Sequence, residues 1–131
     1  MPTAVVTFKH ILANSQTFGG SEEHMTSQVF FDLTINNQVF RDVHVDVKQT
    51  VGASFEDAHL EVSRPIGYVG PMNHDALSRA TDSYYKIHVG AQGKAFNVSP
   101  KAFRTSVINC KIYAEHTVKL DVPTEAAGGK H

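Results

Sequence analysis

The chain has 131 residues, with twelve lysines and arginines against thirteen aspartates and glutamates. With a net charge of −1 there is no basic excess to neutralise a run of phosphates, which disfavours general nucleic-acid binding. Hydrophobic residues at 41% and charged residues at 19% describe a globular chain, and no apolar run approaches the ~18 residues that span a bilayer.

Period-two alternation recurs far more often than helical spacing. The expected architecture is therefore mainly β: an antiparallel β-sandwich or partly closed barrel of seven to eight strands with one or two short helices. One domain is expected over 1–123, followed by a small, polar tail, 124–131 (TEAAGGKH).

In chain order, a strand over Thr3–Leu12 places Ala4, Val6, Phe8, His10 and Leu12 in one phase. Residues 13–24 (ANSQTFGGSEEH) read as a long connection. A hairpin follows, with Val29, Phe31, Leu33 and Ile35 in one phase and Val39, Val43, Val45 and Val47 in another. Pairing Ile35 with Val39, Phe31 with Val43 and Val29 with Val45 turns both strands to one core. It leaves Asn36, Asn37 and Gln38 as the loop. A tighter Asn36-Asn37 turn would put Phe31 opposite Asp42 and is rejected on that ground.

A strand over Asp57–Ser63 comes next, with Ala58, Leu60 and Val62 in phase. Segment 64–75 (RPIGYVGPMNHD) is the least strand-like stretch before the tail. Its prolines and glycines forbid regular structure, while Ile66, Tyr68, Val69 and Met72 give it more apolar surface than a solvated loop carries. Such a loop is either a packed cover or part of a site, and a binding role would fall to Arg64, Tyr68 and His74.

Asn73 can cap a short helix from His74 to Asp82, with Leu77 and Ala80 inward. Tyr84–Val89 and Lys94–Val98 read as a further hairpin around Gly90-Ala91-Gln92-Gly93, and Ser99-Pro100 opens a turn over Lys101–Thr105. From Ile108 to Val122 every even position is apolar except His116. A straight strand of that length spans ~50 Å, beyond the ~36 Å diameter of a compact domain this size. It must bend near Ala114–Thr117 or reach onto a partner subunit.

Eight histidines are the compositional oddity. His44-Val-Asp46 and His59-Leu-Glu61 each place an imidazole and a carboxylate on one side of a strand. With a third ligand such as His116 or His88, His44 and Asp46 would form a two-His-one-carboxylate metal site on a jelly roll. Two such pairs is little more than chance supplies, and this one is out of phase with the valines, which suits a solvated face. His10 and His116 instead occupy apolar phases, as hydrogen-bonded core-edge imidazoles or as the lining of a ligand cavity.

Cys110 is the only cysteine, so no intrachain disulfide can form. Together with the lack of a secretory leader pattern in MPTAVVTFKHIL, this points to a cytoplasmic location. The function expected is a non-enzymatic β-module that binds a small ligand or a protein partner, as a homodimer. Arg64, Tyr68, His74, His10 and His116 are its candidate contacts. A small metal-dependent jelly-roll enzyme and a structural assembly protein are the alternatives. No cofactor is implied.

Overall fold

The computed structural model describes residues 3–17, 23–50, 59–95 and 110–123. Five antiparallel strands form one curled, half-barrel sheet around one helix. The strands are β1 (Thr3–Thr17), β2 (Glu23–Ile35), β3 (Gln38–Thr50), β4 (His59–Val62) and β5 (Cys110–Asp121), in the order β4-β3-β2-β1-β5. Helix α1 (His74–Ala95) joins the two edge strands. The mainly β, antiparallel character expected from the sequence is present, and of its two expected forms the curled half-barrel is nearer the partly closed barrel. Among the described residues there are five strands in one sheet, and neither a second sheet nor the seven to eight strands expected is found.

One expected strand is helix, and of the expected Lys94–Val98 strand residues 94–95 belong to α1 while 96–98 lie outside the described residues. Tyr84–Val89, expected as half of a hairpin, lies inside α1, which runs thirteen residues past its expected end at Asp82. Tyr85, Ile87 and Val89 do alternate, and such residues favour strands. The spacing of Leu77, Thr81, Tyr84, Tyr85 and Val89 fits one helical face equally well, and all five are buried. Ile87, off that face, is 61% exposed. Gly90 and Gly93 each cost a helix about 1 kcal/mol, less than packing the aromatic face recovers. Residues 96–109, including the Ser99-Pro100 turn, lie outside the described residues.

The core fills the space between the concave face of the sheet and α1. Phe8 stacks on Tyr84 with centroids 4.6 Å apart and meets Phe31 edge-on at 5.7 Å. Tyr85 is wholly buried, and its hydroxyl shares a 3.1 Å hydrogen bond with that of Ser27. Burial pushes the Tyr85 phenol well above its ordinary range, so it stays neutral.

Two irregularities decide which side chains reach that core. In the β2–β3 hairpin the turn is the two-residue one: Asn36 and Asn37 have φ of 50° and 65°, and Ile35 pairs with Gln38. Phe31 nevertheless pairs with Val43, as the apolar pattern requires. A bulge at Arg41–Asp42 reconciles the two, with Asp42 at φ 59°. Asp32 holds it from β2, accepting from the Asp42 N–H at 3.3 Å and pairing with Arg41 at 3.2 Å. Toward the turn Val39 is consequently exposed and Phe40 is the half-buried residue.

The second irregularity is at Lys9. Phe8 pairs with Phe31 and His10 with Phe30, so β1 takes two steps where β2 takes one. The phase of β1 therefore reverses: Ala4, Val6 and Phe8 face the core before it, Ile11 and Ala13 after it. His10 and Leu12 are turned to the convex face, contrary to the expected phase. The ladder between β1 and β5 shifts at the same place, opposite Ala114–Glu115, within the stretch where a bend was expected. The strand β1 also continues through residues 13–17 and β2 begins at Glu23, where a long connection was expected.

Candidate functional site

Segment 63–73 leaves β4 and runs back along β3. The Ser63 N–H donates to the Asp46 carbonyl at 2.9 Å, and His44 and Ile66 exchange backbone bonds of 3.0 and 2.7 Å. Between these anchors Arg64-Pro65 lifts off the sheet. Beyond Ile66 the chain turns at Gly67, whose φ of 103° suits glycine and whose absent Cβ would lie 3.4 Å from the Val43 Cα.

Tyr68 then braces the loop. Its ring meets Phe40 edge-on at 4.9 Å, and its hydroxyl donates to the Pro71 carbonyl at 3.1 Å. Gly70 lies so close that a Cβ there would sit 2.5 Å from the Tyr68 hydroxyl. Burial raises the Tyr68 phenol above its usual range, keeping it a donor. Asn73 caps α1 through a 3.1 Å bond from the Ala76 N–H, and His74 contacts the Ser78 hydroxyl at 3.4 Å.

Arg64, Tyr68 and His74 thus come together around one cleft of about 250 Å³, with Val69 and Met72 on its walls. Val69 is fully exposed at 101%, and Ile66 is 45% exposed. The loop is therefore held in place yet presents aliphatic side chains to solvent.

The other candidates do not join this cluster. His10 stands on the convex face in a row of rings crossing four strands. Its ring stacks on Phe30 at 4.6 Å and lies 5.6 Å from Tyr113, while Phe30 is 4.9 Å from His44. Burial, reinforced by Lys111, holds the His10 imidazole below its usual pKa. The sequence signal for this row was Phe30 and Tyr113, large rings in the polar phase of their strands.

His116 keeps the concave phase but is exposed, lining a cleft of about 460 Å³ between α1 and β5 with Tyr84, Ile87, His88 and Val118. Burial and nearby His116 keep the His88 pKa low. Burial and Glu115 push the Tyr84 phenol up to about 12, so it remains the donor to the Ala114 carbonyl. His10 and His116 therefore lie on opposite faces of the sheet and do not line a shared cavity.

His44 and Asp46 lie on the convex face with Nε2 and Oδ1 3.8 Å apart, an ion-pair distance too long for a hydrogen bond. His88 and His116, the proposed third ligands, are on the concave side. Among the described residues no three histidine, cysteine or acidic side chains gather to hold a metal. Nor is any described helix long and apolar enough to cross a membrane. Comparisons with family models, with curated proteins and with solved structures find no match for this chain.

Proposed function

We propose that the protein is a non-enzymatic binding module that recognises a protein partner through the ridge formed by segment 64–74. The observation carrying this reading is Val69, fully exposed on a loop whose backbone is pinned on both sides. A solvated apolar tip on a braced loop is an anchor already ordered for binding, so little entropy is lost on contact. The cleft beside it, at about 250 Å³, is smaller than the ~300–1,000 Å³ of sites for drug-sized ligands. It suits one side chain of a partner.

Arg64 at the rim adds a cation with a planar, bidentate donor face. The partner chemistry that fits is a segment placing an aliphatic or aromatic side chain next to a carboxylate. Selection from a displayed library of short peptides tests this, with the Val69→Asp variant as the counter-target. The expected result is enrichment of acidic-apolar peptides that bind the native protein and lose binding to Val69→Asp and Arg64→Glu, both still folded by circular dichroism. Peptides that bind Val69→Asp equally well, or no enrichment at all, would overturn the reading.

A further inference from the structure

We propose that β5 pairs antiparallel with β5 of a second copy of this chain, in the register that places His116 on the two-fold axis. This proposal is separate from the ridge at Val69, which flanks the opposite end of the sheet order. Strand β5 is an edge of twelve residues that pairs, among the described residues, with β1 alone. A row of backbone donors and acceptors of that length is a template for another strand.

A two-fold axis that continues a sheet stands perpendicular to it. Each residue then pairs with one of its own phase, and the residue on the axis meets itself. With His116 there, Lys111 opposes Asp121 of the second copy, Tyr113 opposes Lys119, and Glu115 opposes Thr117. On the concave side Ile112 opposes Leu120 and Ala114 opposes Val118. By symmetry each pairing occurs twice, and no like charges meet.

Neighbouring registers are worse. With Glu115 on the axis that carboxylate meets its own copy, and Lys111 meets Lys119. With Thr117 on the axis Glu115 gains Lys119, but Lys111 falls opposite Pro123 and the overlap shortens. Directly opposed like charges destabilise a strand pair while opposite charges and ring–cation pairs support it. The order of the exposed charges Lys111, Glu115, Lys119 and Asp121 along β5 thus rejects the register centred on Glu115, and the longer overlap favours His116 over Thr117.

A second feature lies on the concave side. Ile87 of α1 is 61% exposed beside half-buried Val118 in the cleft next to this edge. Pairing about His116 brings the two copies of that cleft against each other and covers the isoleucine. Apolar surface there gives the pairing a driving force that edge hydrogen bonds alone lack.

The test is sedimentation of the whole chain across a concentration series, with charge variants. The native chain is expected to be a reversible dimer. Lys111→Asp, which sets two aspartates against each other twice, should weaken it about tenfold. Adding Asp121→Lys to that variant should restore it, because the pairs re-form with signs exchanged. In a Cys110→Ser background, His116→Cys should form an intermolecular disulfide under mild oxidation, whereas Ala114→Cys alone should not. A chain monomeric at every concentration overturns the proposal, as does a dimer indifferent to Lys111→Asp or one that fails to cross-link through position 116.

Discussion

The two edges of the sheet have been built in opposite ways. The β4 edge is four residues long, and just past it the chain lifts off at Arg64-Pro65, where proline offers no N–H, before rejoining β3 at Ile66. Brevity and a break of this kind are how sheets discourage further strands. What that end presents is side chains: Val69, Ile66 and Arg64 on a braced loop. The β5 edge is three times as long, and Lys111, Tyr113, Glu115 and Lys119 along it are all exposed. Charges on an edge ordinarily deter pairing, but here their order makes the strand complementary to itself. Among the described residues, one end of the sheet offers a short, interrupted edge and displays side chains, while the other offers a long edge with matched charges.

The largest expected effect removes the support common to both ends. Phe8→Ala takes away the ring between Tyr84 and Phe31 and should cost ~3–5 kcal/mol, read by urea denaturation, with peptide binding and dimer lost together. Tyr85→Phe leaves the buried Ser27 hydroxyl without its partner and should cost ~1–3 kcal/mol. Pairing it with Ser27→Ala should recover part of that loss, because both polar atoms are then gone.

Gly67→Ala separates the two ends. A Cβ at φ 103°, 3.4 Å from the Val43 backbone, should cost ~1–3 kcal/mol and weaken binding at the Val69 ridge, while leaving β5 association unchanged. Val69→Asp should abolish ridge binding without the stability loss of Phe8→Ala, altering stability by no more than ~0.5 kcal/mol. Thermal melts and peptide titrations on the same samples check both.

The smallest effect is that of pH. Burial holds the His10 and His88 pKa values low, so as pH falls through ~6.5 the unfolded chain takes up protons before the folded one. Stability is therefore full above that pH and declines below it. Melting temperature should drop between pH 7 and pH 5, with a shallower slope in a His10→Asn, His88→Asn double variant.

The β-rich character, the β2–β3 hairpin and the even phase of β5 were legible because each rests on long, regular alternation of apolar residues. Where a single residue changes the count, alternation misleads. Lys9 reverses the phase of β1, which moved His10 from the core to the convex ring row. Asp42 allows the tight Asn36-Asn37 turn that an unbroken register forbids. The C-terminal half of α1 was hidden because Tyr85 and Val89 belong both to an alternating set with Ile87 and to a helical face with Leu77, Thr81 and Tyr84, and only packing against Phe8 and Ser27 decides between them. Arg64, Tyr68 and His74 do meet at one cleft, because Pro65, Gly67 and Gly70 fold a short segment back on itself. His10, His116 and the His44–Asp46 pair scatter over two faces, since sheet order and bulges, which no local pattern reveals, control where they go.

Amide hydrogen exchange at two protein concentrations tests the inequality of the two ends most directly. Outward amides of β5 from Lys111 to Asp121 should slow markedly as concentration rises, while those of β4 and of segment 63–73 stay as they were. Exchange in β5 that does not respond to concentration, or a slowing that appears at β4 instead, would contradict it.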